Sequence, residues 1–353
     1  MRPLLARIAL DALAHNLEVA RCHAGSASIL SVIKAGAYGH GLARAVRGLT
    51  ASDGYAVLNI EEAVSLRQMG IEKPILLLEG PFDAEEMRAC AEFNLMPVLH
   101  SPHQLEWLAQ ATEPLNVFLK FNSGMNRLGF PMAEFDAVIA RVKVLPNVSR
   151  ITLMTHFATA DEDFGIDWQW QRFIARAEAA KLPISAANSA ALLRYPETRR
   201  DWVRAGIMLY GASPFAGVSA EQLGLKPAMT LQSRIIALQT LKPGEALGYG
   251  LTYMADAATR VGIAACGYAD GYPRHAPTGT PILVNGKRTR TLGRVSMDML
   301  AVDLSHIPEA GIGSPVVLWG EGMPVEEVAR AAGTISYELL CALAPRVAVR
   351  ESA

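Results

Sequence analysis

Long hydrophobic runs are missing: no uninterrupted apolar stretch approaches the ~18 residues of a membrane span, although apolar residues make up 51% of the chain. An excess of either charge is missing too. Lys plus Arg total 33 against 34 Asp plus Glu, so a formal charge of -1 offers no field to gather phosphate backbones, and nucleic acid is not an expected partner. Cysteine is scarce. The four (Cys22, Cys90, Cys266, Cys341) lie too far apart for CxxC zinc or redox sites and read as buried thiols of a reducing, cytoplasmic compartment. HExxH, EF-hand and GxSxG motifs are absent, which favours metal-independent chemistry. GTPILVNGKR fails as a P-loop, because six residues separate Gly279 from Gly286 where about four are needed and Arg288 replaces the magnesium-binding Ser or Thr. At the start, Arg7 and Asp11 interrupt any signal-peptide h-region, so the opening reads as mature sequence, with Asp11 as N-cap of a helix from Ala12 toward Ala20.

What is present is an alternation. At ~150 residues per domain, 353 residues suggest two domains, and only 19% charged residues places the chain among globular proteins. Short apolar runs occupy 29–33, 55–59, 74–80, 95–100, 116–121, 150–155, 184–188 and 204–209. Between them, 42–49, 60–69, 84–93, 102–111, 132–142 and 167–181 carry apolar residues at helical spacing. Eight strand–helix alternations predict an α/β TIM-type (β/α)8 barrel over 9–225. The competing fold, a doubly wound open sheet, lacks its GxGxxG after the first strand. From 226 to 353 strand-like runs (231–238, 260–265, 281–284, 299–304, 315–319) are separated by Gly, Pro and Asn turns, and two helical patches (325–332, 337–343) follow. This predicts a mostly-β C-terminal domain, which the strand within residues 1–8 is expected to join.

In such a barrel the residues just past the strand ends form one ring. Here they are Lys34, Asn59 with Glu62, Glu79, His100, Asn122 to Arg127, His156, Asn188 with Ser189, and Gly206 to Tyr210. Any single member, such as Glu79 or His100, is explained better by solvation of a strand end. Lys34 ends the apolar strand ILSVIK and precedes AGAYGHG. A lysine beside apolar walls loses solvation, and its neutral amine becomes a nucleophile toward carbonyls. A snorkelling loop lysine is the equal alternative on spacing alone. RAGIMLYG, with Gly206 and Gly211, offers backbone N–H groups where barrels often bind phosphate, although an ordinary Gly-containing turn is the better explanation of this element considered alone.

Taken together, these segments resemble the bacterial alanine racemases, fold-type III enzymes that use pyridoxal 5′-phosphate (PLP). VIKAGAYGHG is similar to the family's PLP-lysine motif, KFNSGMNRLGF to its fifth-strand loop, THFA to its stacking-histidine segment, and NSAA with VRAGIMLYG to its cofactor contacts. GYGLTY, GYADGY and RVSMD resemble segments that a partner subunit contributes. The resemblance implies that Lys34 carries PLP covalently and that Tyr38, Asn188, Ser189, Gly206, Ile207 and Tyr337 surround the phosphate. It implies His156 against the ring, Arg204 at the pyridine nitrogen and Arg127 toward the substrate. Tyr253 would be a second acid/base from the other subunit, with Tyr268 and Met297 in the substrate pocket, so a homodimer with shared sites is implied. Lys120 matches a lysine carbamylated in many members. Two positions depart from the family's pattern: Gly36, where Asp or Asn is usual, and Asn122, where Asp is frequent.

The expected activity is interconversion of L- and D-alanine by proton transfer from opposite faces, by Lys34 and Tyr253. A tyrosine titrates normally near ~10, so Tyr253 needs neighbouring positive charge, which a His156–Arg204 chain could supply. The product would serve peptidoglycan synthesis, or be degraded. Two alternatives stand beside it: a racemase of broader specificity, and a PLP-carrying barrel without turnover. The decarboxylases of this architecture keep an acidic contact at the pyridine nitrogen, where this chain has Arg204.

Overall fold

The computed structural model describes residues 2–352. Eight parallel strands close into a barrel: Ser28–Val32, Gly54–Val57, Ile75–Leu77, Met96–Leu99, Leu115–Asn122, Val148–Met154, Ile184–Ser185 and Trp202–Ala205. The first pairs with the last, Val203 opposite Ile29, and Val98 opposite Phe118 completes the ring. These strands are apolar on both faces because helices cover the outside and side chains fill the inside. Tyr55 to Val57 and Ile75 to Leu77 are at most 1% exposed.

The covering helices follow the sequence spacing closely, as in Leu42–Gly48, Ile60–Gln68, Ala84–Glu92 and Asp167–Ala180. Three expectations need correction. The first helix spans Leu10–Ala24 with Ala9 as its N-cap, so Asp11 lies in the first turn, where it faces the positive end of the helix dipole. The eighth strand ends at Ala205, and Ile207–Tyr210 is a 3-10 turn, because Gly206 (φ -122, ψ -102) bends the chain out of the sheet. Of the four thiols only Cys90 and Cys266 are buried, while Cys22 and Cys341 are exposed; all four are free.

A second, mostly antiparallel sheet follows the barrel. Met229–Leu241 is its longest strand and pairs with Thr259–Ala264 on one side and Pro315–Trp319 on the other. Pro281–Val284, Lys287–Leu292 and Leu300–Asp303 complete the circuit between them. The N-terminal strand Leu5–Ala9 lies in this sheet, between Met229–Leu241 and Ala348–Ser352. Among the described residues no helix is long and apolar enough to cross a membrane.

Candidate active site

The barrel strands deliver polar side chains to one end. A cavity of about 430 Å³ opens there, within the roughly 300–1,000 Å³ of small-molecule sites. Lys34, Lys120, His156, Asn188, Ser189 and Arg204 line it, each inside or just past a barrel strand, and Arg127 reaches it from the fifth-strand loop. Tyr337 and Cys341, from the helix Ser336–Cys341, close another wall. Cys341 escaped the sequence reading, although it sits four residues beyond Tyr337 and so shares its helix face. His100 and Glu79 meet at the rim, where the Glu79 carbonyl bonds His100 Nε2 at 2.9 Å; only Glu79 of the two lines the main cavity.

Immediately after Lys34 the backbone turns left-handed. Ala35, Gly36, Ala37 and Tyr38 have φ of 55, 58, 56 and 52° in succession. For an L-residue with a Cβ this costs about 1–2 kcal/mol each, so three non-glycine residues here store strain beside the lysine. The turn sends the Tyr38 side chain across to Gly206. The Tyr38 ring stacks on Tyr210 at 4.6 Å and tilts toward Tyr337 at 5.9 Å. Tyr210 is anchored in turn by a 2.8 Å hydrogen bond from its hydroxyl to the Val32 carbonyl.

Opposite the turn is a corner of hydrogen-bond donors. Ser189 Oγ accepts the Gly206 N–H at 2.8 Å, which leaves the Ser189 proton free to point into the cavity. The Ile207 N–H opens a 3-10 turn, so it is an amide without an intrahelical acceptor. Burial pushes the phenols of Tyr38 and Tyr337 well above their usual range, so both remain protonated donors. A Cβ built on Gly206 would stand 2.8 Å from the Tyr38 hydroxyl and fill the corner. Glycine therefore keeps open a cradle whose donors suit phosphate oxygens. Asn188 borders it, but its Oδ1 is engaged in capping the helix Ser189–Arg194 through the Ala191 N–H at 2.9 Å.

The remaining wall is cationic. Arg204, 3% exposed, donates to Ser185 Oγ at 2.6 Å, to the carbonyls of Thr155 and Ala186 at 2.8 and 3.1 Å, and to His156 Nδ1 at 3.2 Å. Burial lowers its pKa to about 10, so it stays charged at neutral pH. Burial first, then the Arg204 charge, keeps His156 neutral, and because Nδ1 accepts from the guanidinium, the imidazole proton belongs on Nε2. Lys120 is 6% exposed, and burial with the charges of Arg204 and Arg127 draws its pKa down to about 8. Lys34, Lys120, Arg127 and Arg204 thus gather around a cavity whose lining holds one carboxylate, Glu79. None of the four forms a salt bridge among the described residues. Asn122 does not enter the cavity. Its Oδ1 accepts the Gly124 and Asn126 N–H groups at 3.0 Å each and shapes the loop that carries Arg127.

Three expected site residues lie elsewhere. Tyr253, Tyr268 and Met297 belong to the β-rich part and do not line the cavity. Tyr268 and Met297 are neighbours, since the Tyr268 N–H donates to the Ser296 carbonyl and the Ala269 N–H to that of Met297. Tyr253 lies in the short strand Tyr253–Met254, with its hydroxyl 3.4 Å from Thr259 Oγ1. The same part of the chain exposes apolar side chains freely: Leu251 and Met254 at 65%, Tyr249 at 70%. Solvent contact on that scale by large apolar groups marks a surface built to be covered.

Comparison with known proteins adds the following. The profile described as "Alanine racemase, N-terminal domain" matches residues 8–214, and that described as "Alanine racemase, C-terminal domain" matches 228–351. A curated alanine racemase of Thiobacillus denitrificans is 65% identical, over 99% of this chain and 96% of its own. A catabolic alanine racemase of Klebsiella aerogenes is 52% identical, over 99% of each. The crystal structure of the biosynthetic alanine racemase from Pseudomonas aeruginosa superposes with a TM-score of 0.96 at 47% identity, covering all of both chains.

Proposed function

The chain belongs to the alanine racemase family, an isomerase that interconverts L- and D-alanine, and from that premise we propose how its own residues do so with PLP. The observation that carries the reading is the cavity itself, which brings together an amine, a glycine-cleared cradle of neutral donors and a buried arginine. When bound, PLP supplies an electron-accepting ring system that acidifies the α-proton of an amino acid joined to it. Lys34 would hold that group covalently and, as a free amine, would carry a proton on one face of the substrate. Tyr38, Ser189, Gly206, Ile207 and Tyr337 would receive the phosphate, with Asn188 beside them, and neutral His156 would lie against the ring.

Arg204 would face the pyridine nitrogen. A guanidinium cannot accept a proton, so it would oppose protonation of that nitrogen and limit the electron-accepting power of the ring. Side reactions such as transamination would be suppressed by the same means. Arg127 is drawn to the substrate carboxylate and the phenolic oxygen of PLP. Tyr253, Tyr268 and Met297 enter from a second subunit, Tyr253 as the proton carrier on the opposite face. The exposed apolar surface around them supports a homodimer with shared sites. In sedimentation the active species at assay concentration is expected to be a dimer, and a fully active monomer would refute the shared site.

The direct test incubates purified protein and PLP with L-alanine, L-serine and L-lysine separately and follows loss of optical activity. Alanine is expected to racemise fastest by a wide margin. Comparable rates on all three would establish broad specificity, and no rate on any would establish a carrier. D-alanine from this reaction is directed to peptidoglycan or consumed, and relatives described as biosynthetic and as catabolic resemble the chain to similar degrees. Four free thiols support a reducing, cytoplasmic setting.

Lys120 is proposed to exist partly as a carbamate that orients Arg127. Its pKa near 8 leaves much of the amine neutral at mildly alkaline pH, and carbamylation replaces one of the two buried cations of the cavity, Lys120 beside Arg204, by an anion. In buffer depleted of carbon dioxide, the depressed pKa makes Lys120 destabilising below about 8, and the penalty is relieved as pH rises toward the unfolded value of 10.5. Lys120→Met is therefore expected to raise stability by on the order of 2 kcal/mol at pH 7 and by progressively less above pH ~8. Urea melts across that range check the sign. Added ¹³C-bicarbonate should give a carbamate resonance that the variant lacks.

A further inference from the structure

Two side chains that do not line the cavity grip the left-handed segment from outside. Glu62, in the first turn of the helix Ile60–Gln68, accepts the Gly36 N–H through Oε1 and the Leu58 N–H through Oε2, each at 3.1 Å. Asn59 caps the same turn by accepting the Glu62 N–H at 3.1 Å, which fixes where the carboxylate stands. At the far end the buried His40 bonds from Nδ1 to the carbonyls of Tyr38 at 2.9 Å and Ala37 at 3.0 Å, so Nδ1 must carry the proton. Its ring lies 4.6 Å from that of Tyr210, and burial draws its pKa down to about 4, keeping it neutral.

We propose that Glu62 and His40 are positioning residues: they clamp the Ala35–Tyr38 turn from its two ends and thereby set the separation of the Lys34 amine from the Tyr38 phenol. The inference rests on the reading of Lys34 as PLP anchor and Tyr38 as phosphate donor. Its physical basis is that left-handed backbone is not what Ala35, Ala37 and Tyr38 adopt unaided, and that Gly36 between them adds no resistance to unwinding. Without acceptors for Gly36 and donors for the last carbonyls, the turn relaxes toward right-handed or extended backbone. Tyr38 then leaves Gly206 while Lys34, tethered to the barrel strand, stays. The position of Gly36 suggests a compensating change: a Cβ there meets nothing within 4 Å, and asparagine tolerates this conformation better than other residues with a side chain.

The test compares Glu62→Ala, Glu62→Gln, His40→Ala, His40→Asn and the double variant Glu62→Ala/Gly36→Asn with the unmodified chain. Hydrogen exchange in PLP-free protein, PLP affinity by titration, and borohydride trapping with peptide mass analysis are measured on each. Glu62→Ala and His40→Ala are expected to speed exchange across residues 35–38 and weaken PLP binding, both by about tenfold, with exchange in Gly54–Val57 unchanged. Glu62→Gln, which keeps one acceptor for two amides, should lie between. His40→Asn should recover binding, because its amide N–H can replace the imidazole donor, and Gly36→Asn should recover part of what Glu62→Ala loses. Unchanged exchange in the turn, exchange raised evenly over the barrel, or unaltered PLP affinity with an opened turn would each overturn the clamp. If His40→Ala does not fold, the Glu62 series decides alone. Failure of the unmodified chain to be trapped at Lys34 would instead defeat the anchor assignment on which the clamp rests.

Discussion

Lys34→Ala is expected to lower racemase activity by more than ~10³-fold, because one substitution removes both the proposed covalent attachment point and one of the two proposed proton carriers. The fold should survive. Lys34 follows the strand Ser28–Val32 and is half exposed, so truncation opens no core cavity. The proposed phosphate corner, built from Tyr38, Ser189 and the Gly206–Ile207 turn, remains intact, so PLP should still bind, but reversibly. Borohydride treatment followed by peptide mass analysis separates the cases. The unmodified chain should carry the pyridoxyl mass on the peptide containing Lys34, and the variant should carry it nowhere. Pyridoxyl on the Lys120 peptide of the unmodified chain would move the anchor to the other lysine in the cavity and invert the assignment of the two amines.

Tyr253→Phe should be nearly as damaging, by about 10²–10⁴-fold in turnover, yet in a different pattern. The ring remains and only the hydroxyl is lost, together with its 3.4 Å approach to Thr259 Oγ1, so stability and PLP content should be close to normal. With the opposite-face carrier gone and Lys34 in place, α-proton exchange with solvent deuterium should persist for one alanine enantiomer and nearly vanish for the other. Equal exchange from both enantiomers at the unmodified rate would remove Tyr253 from the mechanism. The assay also probes the subunit arrangement, since Tyr253 lies outside the cavity of its own chain. Mixing inactive Lys34→Ala with inactive Tyr253→Phe chains should restore partial activity in mixed dimers, because one of the two shared sites then has both carriers.

Periodicity made the barrel legible. Its strands are short apolar runs bounded by helical segments, and hydrophobic burial acts on just that pattern, so each barrel strand except the eighth begins and ends within about three residues of the expected position. The eighth was overextended because IMLY is as apolar as a strand; only the backbone angles of Gly206 reveal that the chain has left the sheet. Asp11 misled in a similar way, since a capping side chain is recognised by the hydrogen bond it makes and not by its chemical type. Lys287–Leu292 passed unnoticed among the turns because KRTRTL is polar: half its positions face solvent, and pairing across the sheet, not burial, makes it a strand.

From its letters alone this chain already had a fold class, a family resemblance and many of the residues that line the cavity, because hydrophobic period and motif order are local properties of a string. Tertiary structure decided what depends on distance and solvent. It brought Lys34, Lys120, Arg127 and Arg204 around one cavity, kept His156 neutral and drew Lys120 toward a pKa of 8 by burial among like charges. It placed Tyr253, Tyr268 and Met297 away from the cavity that their own chain encloses. It also wound Ala35–Tyr38 to the left, against the preference of three of its four residues. Such a turn cannot be read from AGAY, since what sustains it is a carboxylate 26 positions beyond Gly36 and an imidazole sealed behind it.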